Sequence, residues 1–543
     1  MTTLTRRSEA GPWTGRALAA LAGLAAAAFA LGIGDLVAGL FRDVQAPRDA
    51  VGEEFIDRTP AGLKDFAIEQ FGTNDKVALR IGMLIAIGLL GLLLGALSWR
   101  RPWIGVVGIA AFGVVGAVVA VQRPTGRALD ALPPIVGSIA GIAALLMLLA
   151  RLRVRSTMSG VADAPVDTRR ESWVDRVRQR LGTTERKATI DRRGFFVAGG
   201  SVAVAAVAAG SIGTWLRKRF DVSSSRADVV LPTASSPAGA VPAGAQSSVD
   251  GVSEFTTSNG DFYRIDTALS VPQVPAESWK LAIHGMVDNE LELDFDQLLR
   301  RRVVERDITL TCVSNEVGGK LVGNARWLGV PLADILDEAG VEPGADQLKS
   351  TSADGWTSGT PVAAIMDGRD ALLAFGMNGE PLPVEHGFPV RMVVPGLYGF
   401  VSATKWLVDL ELTTFEDFDP YWARRGWAQQ APIKTQSRID APKPLARVSA
   451  GPVGVGGVAW AQHRGIRAVE VRVDEGAWQQ AELADERTID TWRQWMWTWD
   501  ATPGNHKLEV RATDATGDVQ PEERVAPIPD GATGWHSVVV RVS

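Results

Sequence analysis

The sequence predicts a multi-domain chain: an α-helical membrane region of five spans, then soluble strand-rich parts that end in an all-β module. Three observations predict it. Five long apolar stretches fall within the first 216 residues, a single cysteine closes a β-branched run at Cys312, and residues beyond about Ile439 alternate apolar and polar side chains. The length of 543 residues allows membrane, central and accessory parts, and a net charge of −6 argues against a nucleic-acid partner.

The apolar stretches lie near residues 17–40, 78–98, 103–121, 132–150 and 194–216. At about 1.5 Å per residue each can cross a hydrocarbon core of roughly 30 Å. Buried soluble helices can be this apolar, but five with charged flanks read as membrane spans. Asp35, near the end of the first, suits an interface. Arg6, Arg7 and Arg16 precede the first span, Arg100 and Arg101 separate the second and third, and Arg151, Arg153 and Arg155 follow the fourth. Basic flanks of this kind mark cytoplasmic loops. The 41–77 loop carries Asp43, Asp49, Glu53, Glu54 and Asp57 and suits the outer side. An odd number of spans then leaves the remainder of the chain outside a cell membrane crossed several times. Arg217, Lys218 and Arg219, just past the fifth span, run against the charge rule.

The expected division is a four-helix membrane region at 1–155, a basic cytoplasmic connector at 156–193, the fifth span at 194–216, a flexible linker at 217–250, a central domain at 251–435 and a β domain at 436–543. The linker reading rests on Ser, Ala and Pro in 221–250. The fifth span opens with Asp191-Arg192-Arg193-Gly194-Phe195-Phe196, which resembles an internal twin-arginine export signal.

Cys312 stands where the run ERDITLT ends and Gly318, Gly319 and Gly323 follow, so the sulfur is expected at a strand end facing a glycine-rich loop. A lone thiol cannot be half of a disulfide within one chain, and it falls short of the four ligands of a structural zinc site. Taken alone it reads as a small buried hydrophobe. The competing reading is a soft ligand to a transition metal whose other sulfurs come from a cofactor.

The next stretches favour the second reading. Ala325-Arg326-Trp327-Leu328-Gly329-Val330 follows the cysteine, and further on come Met377-Asn378-Gly379 with Pro381 and Pro383, His386-Gly387-Phe388-Pro389-Val390-Arg391, Val394-Pro395-Gly396 and Lys405-Trp406. From about Asn259 to the C-terminus the chain resembles the sulfite oxidase family of molybdopterin-dependent oxidoreductases. The resemblance implies an α+β sulfite-oxidase-type molybdopterin-binding domain with a molybdenum-molybdopterin cofactor. It implies Cys312 as the metal ligand and His386, Arg391, Ser402 and Lys405 as groups that seat the pterin and its phosphate. Asp354 matches a carboxylate holding the pterin ring, and Asn259, Tyr263 and Arg264 match a segment wrapping the cofactor. Arg264 is the substrate-facing cation of this reading, with a pterin-contacting or ion-paired role as the alternative. Without the family, Arg391 reads as a salt-bridged arginine and His386 as a turn histidine.

Two departures bear on the substrate. Phe375 stands where sulfite oxidases carry a tyrosine, and Glu316 and Val317 follow the cysteine where those enzymes have paired arginines. Tyr398, in PGLYGF, is a phenol from another direction. The implied chemistry is oxygen-atom transfer on a small-molecule oxyanion or oxide substrate, in the direction of sulfite oxidation or of sulfoxide or N-oxide reduction. None of the five histidines lies in a span, and one cysteine cannot hold an iron-sulfur cluster, so electrons require a separate electron-transfer protein or membrane carrier. A molybdenum cofactor inserted in the cytoplasm gives the twin-arginine route a motive, because that route carries folded domains. The non-enzymatic alternative is an extracytoplasmic adhesion or sensor protein on a cofactor-free remnant of the fold.

In the C-terminal part, Val469, Val471 and Val473 precede an Asp474-Glu475-Gly476 turn, Leu508, Val510 and Ala512 form a second run, and Val538, Val540 and Val542 a third. This is an antiparallel pattern. Trp492, Trp495, Trp497 and Trp499 at strand spacing read as core. Residues 457–521 also look like the immunoglobulin-like dimerisation domain of the family, and the resemblance implies a homodimer.

Overall fold

The structure, a computed structural model, describes residues 12–42, 44–59, 75–123, 125–152 and 192–543. The Arg6–Arg7 flank, Arg153 and Arg155, nearly all of the connector and Asp191 of the arginine-pair pattern lie outside the described residues. The chain divides into two compact units, Met1–Phe220 and Asp221–Ser543.

In the first unit the helices are α1 (Pro12–Ala38), α2 (Pro47–Arg58), α3 (Asp75–Ser98), α4 (Pro102–Gln122), α5 (Leu132–Leu152) and α6 (Arg192–Lys218). All but α2 follow the five apolar stretches, and those five are long and apolar enough to cross a membrane. Helix α2 lies within the 41–77 segment expected as a loop; its acids hide the helical start that Pro47 supplies in the first turn. Helix α1 is central and packs against α3, α5 and α6. Close approach through small residues holds these apolar helices together. Ala19, Ala22 and Ala26 of α1 are fully buried. A Cβ on Gly23 would lie 2.6 Å from the Gly95 Cα of α3, with the Gly91 carbonyl nearer still.

One end of this bundle carries a charge cluster. Buried Asp35 of α1 pairs with Arg48 of α2 at 3.1 Å and with Arg217 of α6 at 3.6 Å. Asp49 of α2 lies 3.6 Å from Arg217 and 3.7 Å from Arg80 of α3, and Glu53 pairs with Arg123, the residue after α4, at 2.6 Å. Arg219 donates to the Leu40 carbonyl at 2.9 Å. The C-terminal ends of α1, α4 and α6 thus meet the N-terminal end of α3, so α1 and α6 run parallel. Arg217 carries acids as partners where the charge rule alone sees bare positive charge.

The second unit is built from four sheets. Strands β1 (Lys280–Gly285), β2 (Leu291–Asp294), β5 (Gln347–Ser352), β6 (Thr357–Pro361) and β10 (Leu407–Thr413) form the first, in the order β2-β1-β10-β5-β6, with β1 and β10 parallel. Strands β3 (Val304–Thr311), β4 (Val322–Pro331), β7 (Leu372–Met377) and β8 (Glu380–Pro381) form the second, and β9 (Arg391–Val393) pairs with β7. Strand β7, LLAFGM, is buried along its whole length, which is why it reads as a continuous apolar run without alternation. The helix Leu332–Ala339 buries Leu332, Ile335, Leu336 and Ala339 on one face and ends at Gly340 in the left-handed region.

The third and fourth sheets follow from Gln436. One is β11 (Gln436–Ala441), β13 (Gly451–Trp460), β17 (Arg493–Ala501) and β16 (Glu482–Leu483); the other is β12 (Arg447–Val448), β19 (His536–Val542), β18 (Gly504–Asp514), β14 (Ile466–Val473) and β15 (Gln479–Gln480). The two share one core containing Ile439, Val469, Val471, Trp495, Trp499, Leu508, Val510, Val538 and Val540. The tryptophans Trp495 and Trp499 are core, and Trp492 belongs to the neighbouring core of the first two sheets.

The expected flexible linker is corrected for residues 221–250. Val222 and Ala245 are buried in the central core, the Val222 N–H donates to Gln273 at 3.1 Å, the Ser235 N–H to the Val303 carbonyl at 2.8 Å, and Arg226 to the Leu382 carbonyl at 2.8 Å. Scattered apolar residues among Ser, Ala and Pro suffice to dock this segment along its own unit.

Gly23→Leu should lower the thermal unfolding midpoint of the detergent-solubilised chain by several degrees, since overpacking costs about 1–3 kcal/mol. Gly82→Leu, where a Cβ would meet nothing within 4 Å, should leave it unchanged. Burial, reinforced by Arg438, pushes His536 down to about 4. Between about pH 6.5 and pH 4 the unfolded chain then binds the extra proton, so this group's contribution to stability falls as pH drops through that window. Thermal melts of His536→Gln should show a shallower loss over the same range.

Candidate functional site

Cys312 follows β3 directly. Its N–H donates to the Leu321 carbonyl at 2.9 Å and its carbonyl accepts from the Asn315 N–H at 3.0 Å, closing the loop that Gly318 (φ 79°) and Gly319 shape. A Cβ on Gly318 would collide with the His536 imidazole. The C-terminal sheets brace the same loop: Arg438 of β11 donates to the Gly319 carbonyl at 2.8 Å and pairs with Asp440 at 2.7 Å. The thiol is buried and burial pushes its pKa up, opposed by hydrogen bonds from Ser314.

His386 comes from the turn between β8 and β9, and Arg391 opens β9. Gly387 (φ 113°) lets the chain reverse where a Cβ would lie 3.1 Å from both the Arg391 Cβ and the Lys405 Cα. The His386 Nε2 faces the Asn259 carbonyl at 3.0 Å. A carbonyl only accepts, so Nε2 carries the proton and Nδ1 remains an acceptor. Burial first, then Arg391, pushes His386 down to about 4, which keeps it neutral at pH 7.

Arg391 is 5% exposed. Its guanidinium donates to the carbonyls of His386 at 3.1 Å and Ala403 at 3.2 Å and lies 5.0 Å over the Trp327 ring. Its Nε has no hydrogen-bond partner, and among the described residues no carboxylate pairs with it. Burial pushes its pKa down to about 10. A buried guanidinium without a counter-ion is costly, and an anionic ligand removes that cost.

Asp266 lies between two further cations, 2.7 Å from Arg264 Nε and 2.8 Å from Lys405 Nζ. Burial pushes Lys405 down to about 8, with Asp266 opposing it. Arg264 is thus ion-paired with Asp266. Tyr263 stacks on Phe262, with centroids 5.2 Å apart, and Phe262 meets Trp327 and His386 edge-on. Burial pushes the Tyr263 phenol well above its ordinary pKa. Asn259 is held by Asn378, which sits at φ 52° in the Asn-Gly turn between β7 and β8; Asn378 Nδ2 donates to Asn259 Oδ1 at 2.8 Å and to the Thr257 carbonyl at 2.9 Å. A cleft of about 300 Å³ runs beside it, lined by Asn259, Gly260, Glu380, Val384 and Arg226 among others.

The structure thus gathers Cys312, Tyr263, Arg391, His386, Asn259, Lys405 and Arg264. Two expected contacts are engaged elsewhere. The Ser402 hydroxyl, fully buried, spends its proton on the Leu397 and Tyr398 carbonyls, 3.0 Å each, closing its own helical turn. Asp354 accepts from the Trp356 N–H at 3.1 Å and caps the β5–β6 turn, although Ala353 donates to the Trp406 carbonyl and keeps that turn beside Lys405. Phe375 is fully buried with its ring 6.3 Å from that of Phe295, in the core. Sequence reasoning missed Asp266 and the positioning role of Asn378; an acid two residues after Arg264 was the available signal for the first.

These residues fit a molybdenum-pterin cofactor in their chemistry: one thiol for a soft metal, an orphaned guanidinium nitrogen for an anion, and a neutral imidazole acceptor for a ring N–H. The family model described as oxidoreductase molybdopterin binding domain matches residues 268–422, which include Cys312, His386, Arg391 and Lys405 but begin after Asn259, Tyr263 and Arg264. The mitochondrial sulfite oxidase of Mus musculus is 32% identical over 329 residues, covering 50% of this chain and 59% of that protein. The chain therefore spans less than two thirds of that mammalian relative. The sulfite oxidase of Gallus gallus is 31% identical over 340 residues, covering 52% of this chain and 72% of that protein. An uncharacterized oxidoreductase of Bacillus subtilis, YuiH, is 36% identical over 149 residues, covering 27% of this chain and 72% of that protein. At that identity and coverage of the Gallus gallus enzyme, the chain belongs to the sulfite oxidase family of molybdopterin-binding oxidoreductases.

Proposed function

We propose that this chain is a membrane-anchored, extracytoplasmic oxidoreductase that transfers an oxygen atom between a small molecule and molybdenum and exchanges electrons with a separate redox partner. The observation that carries the reading is Arg391: a buried guanidinium with an unfilled Nε, inside the same matched domain as the only cysteine of the chain. Bound there, the cofactor supplies two-electron oxygen-atom chemistry at the metal. Cys312 offers the thiolate, Arg391 and Lys405 supply charge for the pterin phosphate, and His386 Nδ1 and Asn259 offer hydrogen bonds to the ring. Asp266 holds Lys405 and fixes Arg264 at the edge of the site.

The Arg264–Asp266 pair also favours one substrate class. With a carboxylate at 2.7 Å, which it shares with Lys405, Arg264 attracts a dianion such as sulfite less than a free guanidinium would, which supports a weakly charged sulfoxide or N-oxide as substrate. Turnover assays with artificial electron carriers, sulfite in one direction and dimethyl sulfoxide in the other, decide between them.

The anchor is read as five spans with the N-terminus cytoplasmic. The parallel α1 and α6 and the neutralised Arg217 support an odd crossing number, and Arg192-Arg193 at the start of α6 suits export of a folded, cofactor-loaded unit. The two C-terminal sheets are read as an immunoglobulin-like dimerisation module, supported by their shared core.

Purified protein from cofactor-competent cells should contain about one molybdenum per chain, measured by elemental analysis. Cys312→Ser and Arg391→Gln should each reduce it severalfold, and an absence of molybdenum in the wild type would favour the cofactor-free remnant. Replacing Asp35 and Asp49 by Asn together leaves Arg217 without acids. An alkaline phosphatase fusion at the C-terminus should then lose outer-side activity relative to the parent; equal activity would detach topology from this cluster.

A further inference from the structure

The stretch that begins at Asp221 continues the chain from α6, and several of its contacts simply lay it on its own unit. Val222 is buried, and the Ser225 hydroxyl donates to Glu277 at 2.6 Å and accepts from the Ala276 N–H at 2.9 Å. Arg226 differs. Its Nε donates to the Leu382 carbonyl at 2.8 Å, and one terminal nitrogen reaches both the Pro381 carbonyl at 2.6 Å and Glu380 at 2.7 Å. The half-buried guanidinium thus grips β8 and the residue after it, a run that leads into the Val384–His386 turn.

The hydrogen bonds continue inward. The other oxygen of Glu380 accepts from Asn259 Nδ2 at 3.1 Å, and the Asn259 carbonyl accepts from His386 Nε2 at 3.0 Å. Arg226, Glu380, Asn259 and His386 therefore form one continuous chain in which every acceptor meets a donor. Ser223 and Arg226 line the cleft of about 300 Å³ together with Asn259, Gly260, Glu380 and Val384. A tether needs only anchoring, which Val222 and Ser225 supply. A charge-assisted fork on the turn that presents His386 does more.

We propose that residues 221–228 are a strap that retains the cofactor, with Arg226 as a positioning residue: through Glu380 and Asn259 it fixes His386 and the cleft wall, so that a seated pterin leaves only after the strap undocks. This rests on the seating of the pterin by His386 and Asn259 proposed above. The strap takes no part in the chemistry. It sets the rate of cofactor loss, and it places that control on the segment that emerges from α6.

The test uses detergent-solubilised full-length protein from cofactor-competent cells, diluted, incubated and desalted, with the molybdenum still bound measured against time. Arg226→Ala should lose the metal about tenfold faster than the wild type, because it removes hydrogen bonds from a charged donor. Glu380→Gln leaves Arg226 its two carbonyls, but one amide oxygen cannot accept from both Arg226 and Asn259, and loss should be about threefold faster, in the range of a partly exposed ion pair. The double variant should be no faster than Arg226→Ala alone, since both changes act on one chain of bonds. Ser225→Ala loosens the docking of the same segment without touching that chain and should hold molybdenum as long as the wild type. Wild-type retention in Arg226→Ala or in Glu380→Gln, rates that multiply in the double variant, or accelerated loss from Ser225→Ala would each overturn the proposal. If Arg226→Ala does not fold, Glu380→Gln and Ser225→Ala decide it. A wild type that never contains molybdenum would instead overturn the proposed function.

Discussion

The arrangement of the catalytic unit depends on one unbalanced charge. A guanidinium as buried as that of Arg391 forfeits hydration worth several kcal/mol, and two carbonyls and the face of Trp327 return only part of it. The surrounding backbone is committed to holding it there. Gly387 allows the reversal that brings Arg391 against Lys405, and the Asn378-Gly379 turn ties the Asn259 segment across the same end of the second sheet. Such a cost persists in a folded chain when a bound anion offsets it.

Charge near the site is graded. Asp266 serves two cations, so Lys405 and Arg264 together contribute one excess positive charge while Arg391 contributes another. Burial makes Lys405 easier to deprotonate than a surface lysine, and an arriving phosphate reverses that shift by favouring the charged form. His386, neutral by burial, adds polarity without charge. The resulting site suits a singly phosphorylated ligand better than an extended polyanion, and the acids Glu380 and Glu385 that line the adjoining cleft reinforce the limit.

Much of this was legible in the sequence, for reasons of range. Spans are local: an apolar run declares a long helix wherever it lies, and α1, α3, α4, α5 and α6 follow their stretches closely. Strands β14, β18 and β19 were legible because one face of each meets the core, so Val469 and Val471, Leu508 and Val510, and Val538 and Val540 recur at every second position. Cys312, His386 and Arg391 stood out through motif spacing. What escaped depends on contacts between distant residues. Nothing near Lys405 announces that its partner is Asp266, 139 positions earlier. Ser402 in sequence is a free hydroxyl; only the turn formed by residues 397–402 shows its proton already spent. Phe375 invited comparison with a tyrosine through its place before Met377-Asn378-Gly379, and a strand buried along its whole length has no alternation to show which way that ring faces. Residues 221–250 have the composition of a tether, and their few apolar side chains were enough to dock them.

The most direct test of the account is X-ray absorption at the molybdenum edge on the purified, oxidised protein and on Cys312→Ser. If the thiol at the end of β3 is the metal ligand, the metal in the variant that still loads has one sulfur neighbour fewer than in the wild type. An identical sulfur shell in the two proteins would contradict the central claim.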